Sequence, residues 1–115
     1  MGDRVSIAFK KDGRTSVALF SHWQGVSFAA KALNYATSLQ AEHEGKQLMP
    51  LDRLEPHTVM LDFIRTVVKD MTVIDFDLYL GRDENDGDNS DNGHFVIDLG
   101  ARPPTVNRPI EDDAT

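Results

Sequence analysis

Two short alternating runs meet at Asp12-Gly13, and no other stretch of the chain restricts the fold as sharply. Val5, Ile7 and Phe9 alternate with Arg4, Ser6, Ala8 and Lys10, the period-two pattern of a strand with one buried face. An Asp-Gly pair between such runs predicts a tight hairpin turn, because Gly takes positive φ without a steric penalty. The return strand, Thr15 to His22, carries Val17, Leu19 and Ser21 on one face and Ala18, Phe20 and His22 on the other. Apolar residues on both faces near its middle predict an interior strand covered at least in part on both sides.

Gln24-Gly25-Val26-Ser27 breaks this pattern, and Ser27 is placed to cap a helix beginning at Phe28. Phe28, Ala32, Tyr35 and Leu39, with Ala29, Leu33 and Ala36 beside them, recur at helical spacing to about Glu44, where Gly45 can end the helix. Asp52 and Glu55 resemble a capping box before Pro56, and Val59, Met60, Phe63, Ile64, Val67, Val68 and Met71 form the cleanest helical stripe of the chain. Thr72 to Leu80 reads as a third strand and His94 to Leu99 as a fourth. Between them, Gly81 to Gly93 is a polar Asp/Asn/Gly loop, long enough within a compact domain to be functional or disordered.

The predicted order is β-β-α-α-β-β. It implies an α+β fold: a four-stranded, mainly antiparallel sheet of two hairpins, with two helices packed on one face. Such a sheet leaves Ala18 and Phe20 near solvent, which makes a homodimer through the second face, or cover by the tail, a reasonable expectation. A chain of 115 residues is one domain, here residues 1–100, followed by a Pro-rich tail over 101–115 that is expected to be mobile or draped over the surface.

Composition narrows the function classes. A net charge of −7 without a basic patch argues against nucleic-acid binding. No apolar run approaches the length of a membrane span, and no secretory signal opens the chain, so neither membrane nor export is expected. With no Cys, disulfides and thiolate metal sites are excluded, which fits a cytoplasmic protein. Met1-Gly2 with Ser6 meets the loose myristoylation pattern, but Asp3 and the lack of a second lipid signal make chance the better reading.

Chemistry concentrates at two turns. His22 and Trp23 end the second strand, and His94 opens the fourth after the acidic loop. If those ends share one edge of the sheet, the imidazoles and the loop carboxylates converge. A neutral imidazole serves as acid, base or ligand, and a carboxylate such as Asp91 would fix its tautomer and raise its pKa. Trp23 would add a flat apolar wall. The purely structural alternative is that His22 and Trp23 staple the strand end and His94 bonds the loop backbone.

Asp88-Asn89-Ser90-Asp91-Asn92-Gly93 matches the opening of a calcium loop, but Leu99 stands where a bidentate Glu is needed and a strand follows. A zinc site from His22, His94 and a loop Asp is conceivable, without support from spacing, so no metal is assigned. Ser21 and His22 point to opposite faces and cannot pair as nucleophile and base. No hydrolase elbow, P-loop or dinucleotide fingerprint is present, and His43 and His57 read as solvated or capping residues.

Met1-Gly2-Asp3-Arg4, Phe20-Ser21-His22-Trp23-Gln24-Gly25 and Asp91-Asn92-Gly93-His94 together resemble a group of small uncharacterised prokaryotic and phage proteins. Their chains open with M-G-D-R, carry a [YF]-[ST]-H-W-x-G turn and finish with a D-N-x-H turn. Gln24 departs from the Gly common in that group. The resemblance implies a site without a reaction: His22, Trp23, Asp91, Asn92 and His94 in one cluster, joined by Asp3-Arg4. The expected function is small-ligand binding, with a hydrolase-like enzyme as an extension. In it, His22 and His94 act as acid, base or ligand, Asp91 and Asn92 orient them, Trp23 stacks, and Arg4 and Ser21 contact the ligand. The other reading is a non-enzymatic, self-associating interaction or regulatory module. Cofactor and ligand identity stay open.

Overall fold

A computed structural model describes residues 3–43, 54–69, 71–72 and 77–110. In chain order the elements are β1 (Val5–Lys11), β2 (Arg14–Thr15), β3 (Ala18–Ser21), α1 (Val26–His43), α2 (Pro56–Val68), β4 (Leu78–Gly81), β5 (His94–Asp98) and β6 (Thr105–Val106). Asp12 and Gly13 both take positive φ, 53° and 81°, as a hairpin turn that follows the strand twist requires. The return strand is split at Ser16-Val17. There the Ser16 amide donates to Phe9 O at 2.7 Å, and the Ser16 hydroxyl accepts from the Phe9 amide at 2.9 Å.

The α+β class holds, but the sheet is mixed and has six strands in the order β4-β3-β1-β5-β6, with β2 paired to the far end of β1. β1 and β3 are antiparallel through Val5↔Ser21 and Ile7↔Leu19, whereas β1 and β5 are parallel from Ser6↔His94 to Lys10↔Asp98. The expected second hairpin is therefore absent among the described residues: β4 and β5 are separated by β3 and β1. A period-two pattern is the same in either strand direction. Residues 82–93 are long enough to cross the three strand spacings from β4 to β5, about 14 Å. Residues 73–76 of the expected third strand lie outside the described residues, and Thr72 is not in a strand.

Both helices cover one face. Val5, Ile7, Phe9, Leu19, Phe95 and Ile97 point toward Phe28, Ala32, Ala36, Val59, Met60 and Phe63, all of them buried. Phe63 centres an aromatic cluster, 5.7 Å from Phe9, 5.7 Å from Phe28 and 5.1 Å from Tyr35 between ring centroids. Each fully buried Phe contributes roughly 2–3 kcal/mol of transfer free energy, which explains why the helical stripe dominates packing. At α1, Ser27 lies within the first turn and donates to Gln24 O rather than capping. At α2, Glu55 is itself the N-cap and accepts from the Thr58 amide at 2.9 Å. Asp52, Glu44 and Gly45, expected at helix ends, lie outside the described residues.

The other face carries Ser6, Ala8, Ala18, Phe20, His94 and Val96. Ala18 and Phe20, expected near solvent, are both 0% exposed, and the loop crossing from β4 to β5 lies against Phe20. Tyr79 stacks on Phe20 with centroids 4.9 Å apart, and its hydroxyl accepts from the Asp88 amide at 2.9 Å. A Cβ at Gly87 would meet both rings, so the loop backbone itself lies against them. The carboxylates of Asp83, Asp86 and Asp88 accept from the amides of Asn85, Arg82 and Ser90, which folds the acidic stretch into tight turns. The tail is draped as far as Ile110: β6 pairs with β5, Pro104 is buried, and Gln40 donates to Ala101 O at 2.6 Å. No helix among the described residues is long and apolar enough to cross a membrane.

Candidate functional site

Asp3 and Arg4 enter β1 between the two turns and bind them together. The Asp3 amide donates to His22 O at 2.9 Å, and the Gly25 amide donates to Asp3 O at 2.9 Å. Across β1, the Arg4 amide donates to Asp91 Oδ2 at 2.9 Å, and the Asn92 amide donates to Arg4 O at 2.9 Å. The Asn92 side chain donates to Asp3 Oδ1 at 2.6 Å and to Arg4 O at 3.0 Å. Arg4 also pairs with Asp88 at 3.2 Å and faces Asp91 at 3.6 Å. Gly25 sits at φ 63°, and a Cβ there would run into the Asp3 carboxylate, which explains the glycine that closes this turn.

Arg4, His22, Trp23, Asp91 and Asn92 lie at one end of the sheet, where Asp91 Oδ2 accepts from Arg4 and Asn92 Nδ2 donates to Asp3 and Arg4. His22 is half-buried, and Trp23 is 55% exposed with its ring edge-on to His22 at 5.2 Å. Ser21 is fully buried on the helix side, where its hydroxyl donates to Asp77 Oδ2 at 2.7 Å, so it cannot contact a ligand from solvent. Asp77, within the expected third strand, is buried and also accepts from the Trp23 amide at 3.1 Å and from the Gln24 side chain at 3.3 Å. It fixes the His22-Trp23 turn from below. The one sequence signal for it was an acid inside an apolar run.

His94 is separated from this knot. It is level with Ser6 on β5, whereas His22 follows the end of β3, one residue past the Val5↔Ser21 pair, on the other side of β1. The two strands are two spacings apart, about 10 Å, with a further two-residue stagger, so the imidazoles share no first shell. Among the described residues no group of three His, Asp or Glu could hold a metal ion. The calcium-like stretch is likewise drawn apart: Asp88 and Asp91 turn to Arg4, and Asn89 turns to Ser6.

The partner of His94 is Ser6 rather than Asp91. Ser6 Oγ lies 2.7 Å from His94 Nδ1, and Asn89 Nδ2 donates to the same oxygen at 2.9 Å. Ser6 is 0% exposed and its oxygen already accepts from Asn89, so donating its own proton to Nδ1 satisfies the hydroxyl fully. The imidazole then carries its proton on Nε2. Burial lowers the pKa of His94, against Glu84 and Asp83, whose charges pull it up. The expected upward shift from Asp91 is thus reversed in direction and in cause.

His94 borders a cleft of about 400 Å³ on the face away from the helices. Its floor is Ala8, Ala18 and Val96, and Lys10, Arg82 and Glu84 stand at its rim. Sequence reasoning missed Ser6, Asn89 and this rim because their proximity depends on where the loop crosses. Comparison with protein-family models, curated proteins and solved structures returns no match.

Proposed function

We propose that the protein binds a small polar molecule in the cleft beside His94. One observation carries this reading. Ser6 Oγ, itself held by Asn89, lies 2.7 Å from His94 Nδ1 and fixes the ring at the wall of a 400 Å³ concavity within the size range of small-ligand sites. Binding is better supported than hydrolysis, since Ser6 and Ser21 are both fully buried and neither offers an accessible nucleophile. In this account the Asp3-Arg4 knot with His22, Asp91 and Asn92 positions the start of β5, and Trp23 lies outside the cleft. The pair that motivates a homodimer, Ala18 and Phe20, is covered within the chain, so self-association is not part of the proposal. A chain without Cys suits a cytoplasmic binding protein.

A thermal-shift screen of amino acids, organic acids, sugars, nucleotides and metal ions tests the reading, because a ligand of the folded state raises the melting temperature. The stabilising compound is expected to lose its effect on Val96→Phe, which fills the cleft, and to weaken on His94→Gln. A compound that ignores both variants but is lost on Trp23→Ala would move the site to the other end of the sheet.

A further inference from the structure

The two ends of the cleft carry opposite charge. His94 stands at the level of Ser6 and Lys10 at the level of Asp98 and Thr15, so they are four residues apart along β1. That is about 13 Å of strand. Arg82 follows Gly81, which pairs with Ala18, and so stands toward the Lys10 end. Glu84 O accepts at 3.1 Å from the Asn89 side chain, which also reaches the Ser6 hydroxyl beside His94, so Glu84 stands toward the His94 end. Among the described residues, the side chains of Lys10 and Glu84 make no hydrogen bond or ion pair, whereas Arg82 is shared with Asp86 at 3.5 Å and Asp83 accepts from Asn85 within its own turn.

Resting on the binding reading above, we infer that the cleft takes an extended amino carboxylate. Its carboxylate lies at Lys10 and Arg82, its ammonium or amine at Glu84, and its methylene body along the partly exposed Val96. A molecule of this class matches both unpaired charges, while its zero net charge avoids the repulsion that a chain of net charge −7 exerts on an anion. The apolar side chains beneath the cleft, Ala8, Ala18 and Val96, offer a chain of methylenes no hydrogen bond, so selectivity rests on the two ends.

The test is an amide NMR titration of the full chain with three probes of similar body: ε-aminocaproate, caproate and hexylamine. ε-Aminocaproate is expected to shift the amides of Ala8, Ala18 and Val96 and to bind most tightly. Lys10→Gln and Glu84→Gln, both rim substitutions, should each weaken it by about tenfold, and Lys10→Gln should also abolish binding of caproate. Equal affinity for all three probes, or no loss in either rim variant, overturns the inference. So does the absence of any cleft shift with ε-aminocaproate at millimolar concentration. If the probes fail while another compound from the thermal screen is still blocked by Val96→Phe, the ligand class is wrong and the cleft reading survives. If Val96→Phe blocks nothing, the cleft reading itself fails.

Discussion

Ser6 Oγ and His94 Nδ1 lie 2.7 Å apart although 88 positions separate the two residues, and this contact fixes β5 beside β1 on the face that the helices leave open. Asn89 completes it from the crossing loop, so one buried hydroxyl joins two strands and the loop above them.

Removing that hydroxyl should therefore cost more than one ordinary hydrogen bond. Ser6→Ala strips Asn89 Nδ2 of an acceptor and His94 Nδ1 of its donor, and a loss of about 1–3 kcal/mol in urea unfolding is expected. Hydrogen exchange at the Gly93 amide, bonded to Asn89 O at 2.7 Å, should quicken in the same variant. Wild-type stability and wild-type exchange would show that the contact does not hold the loop.

His94 also sets a pH dependence. Its pKa in the folded protein is lowered by burial from the ordinary 6.5, so between that lowered value and 6.5 the unfolded chain binds more protons. Stability from this group is complete above 6.5 and is lost as pH falls through that window. His94→Gln should flatten the decline in urea midpoint measured across it, and an equally steep decline would assign the pH effect to other groups.

Gly25 and Gly13 both adopt positive φ, but only Gly25 is hemmed in, by the Asp3 carboxylate. Gly13→Ala should cost about 1 kcal/mol, the backbone penalty alone, and Gly25→Ala should cost more because Asp3 must shift as well. Parallel denaturation curves for the two variants decide this. Equal losses would mean that Asp3 yields freely.

Asp77 is buried and accepts from Ser21, Trp23 and Gln24, so Asp77→Ala leaves the Ser21 hydroxyl and the Trp23 amide without that partner. A loss of about 2–4 kcal/mol is expected, with a change in Trp23 fluorescence in the folded state. Retained stability with unchanged fluorescence would remove Asp77 from the support of the turn.

Local chemistry made part of this molecule legible. The Asp12-Gly13 turn and the stripe from Val59 to Val67 announce themselves in adjacent residues, and the structure agrees with both. The direction of β5 was not legible, since His94 to Asp98 alternates identically whether its neighbour runs parallel or antiparallel. The loop hid most. Its Asp and Asn residues read as solvated turns, and they are turns, but nothing local says that Gly87 lies on Phe20 and Tyr79 or that Asn89 reaches Ser6. For that reason the sequence joins His94 to Arg4, His22, Trp23, Asp91 and Asn92, whereas the structure sets it beside Ser6.

The state of the His94 ring is the most direct test of the account. Long-range proton–nitrogen NMR at neutral pH should show an unprotonated, hydrogen-bonded Nδ1 and a protonated Nε2, with the Nε2 signal moving when the cleft is filled by a ligand. A proton on Nδ1 would make Ser6 the acceptor of the imidazole, leave Nε2 without a proton to donate into the cleft, and contradict the proposed site.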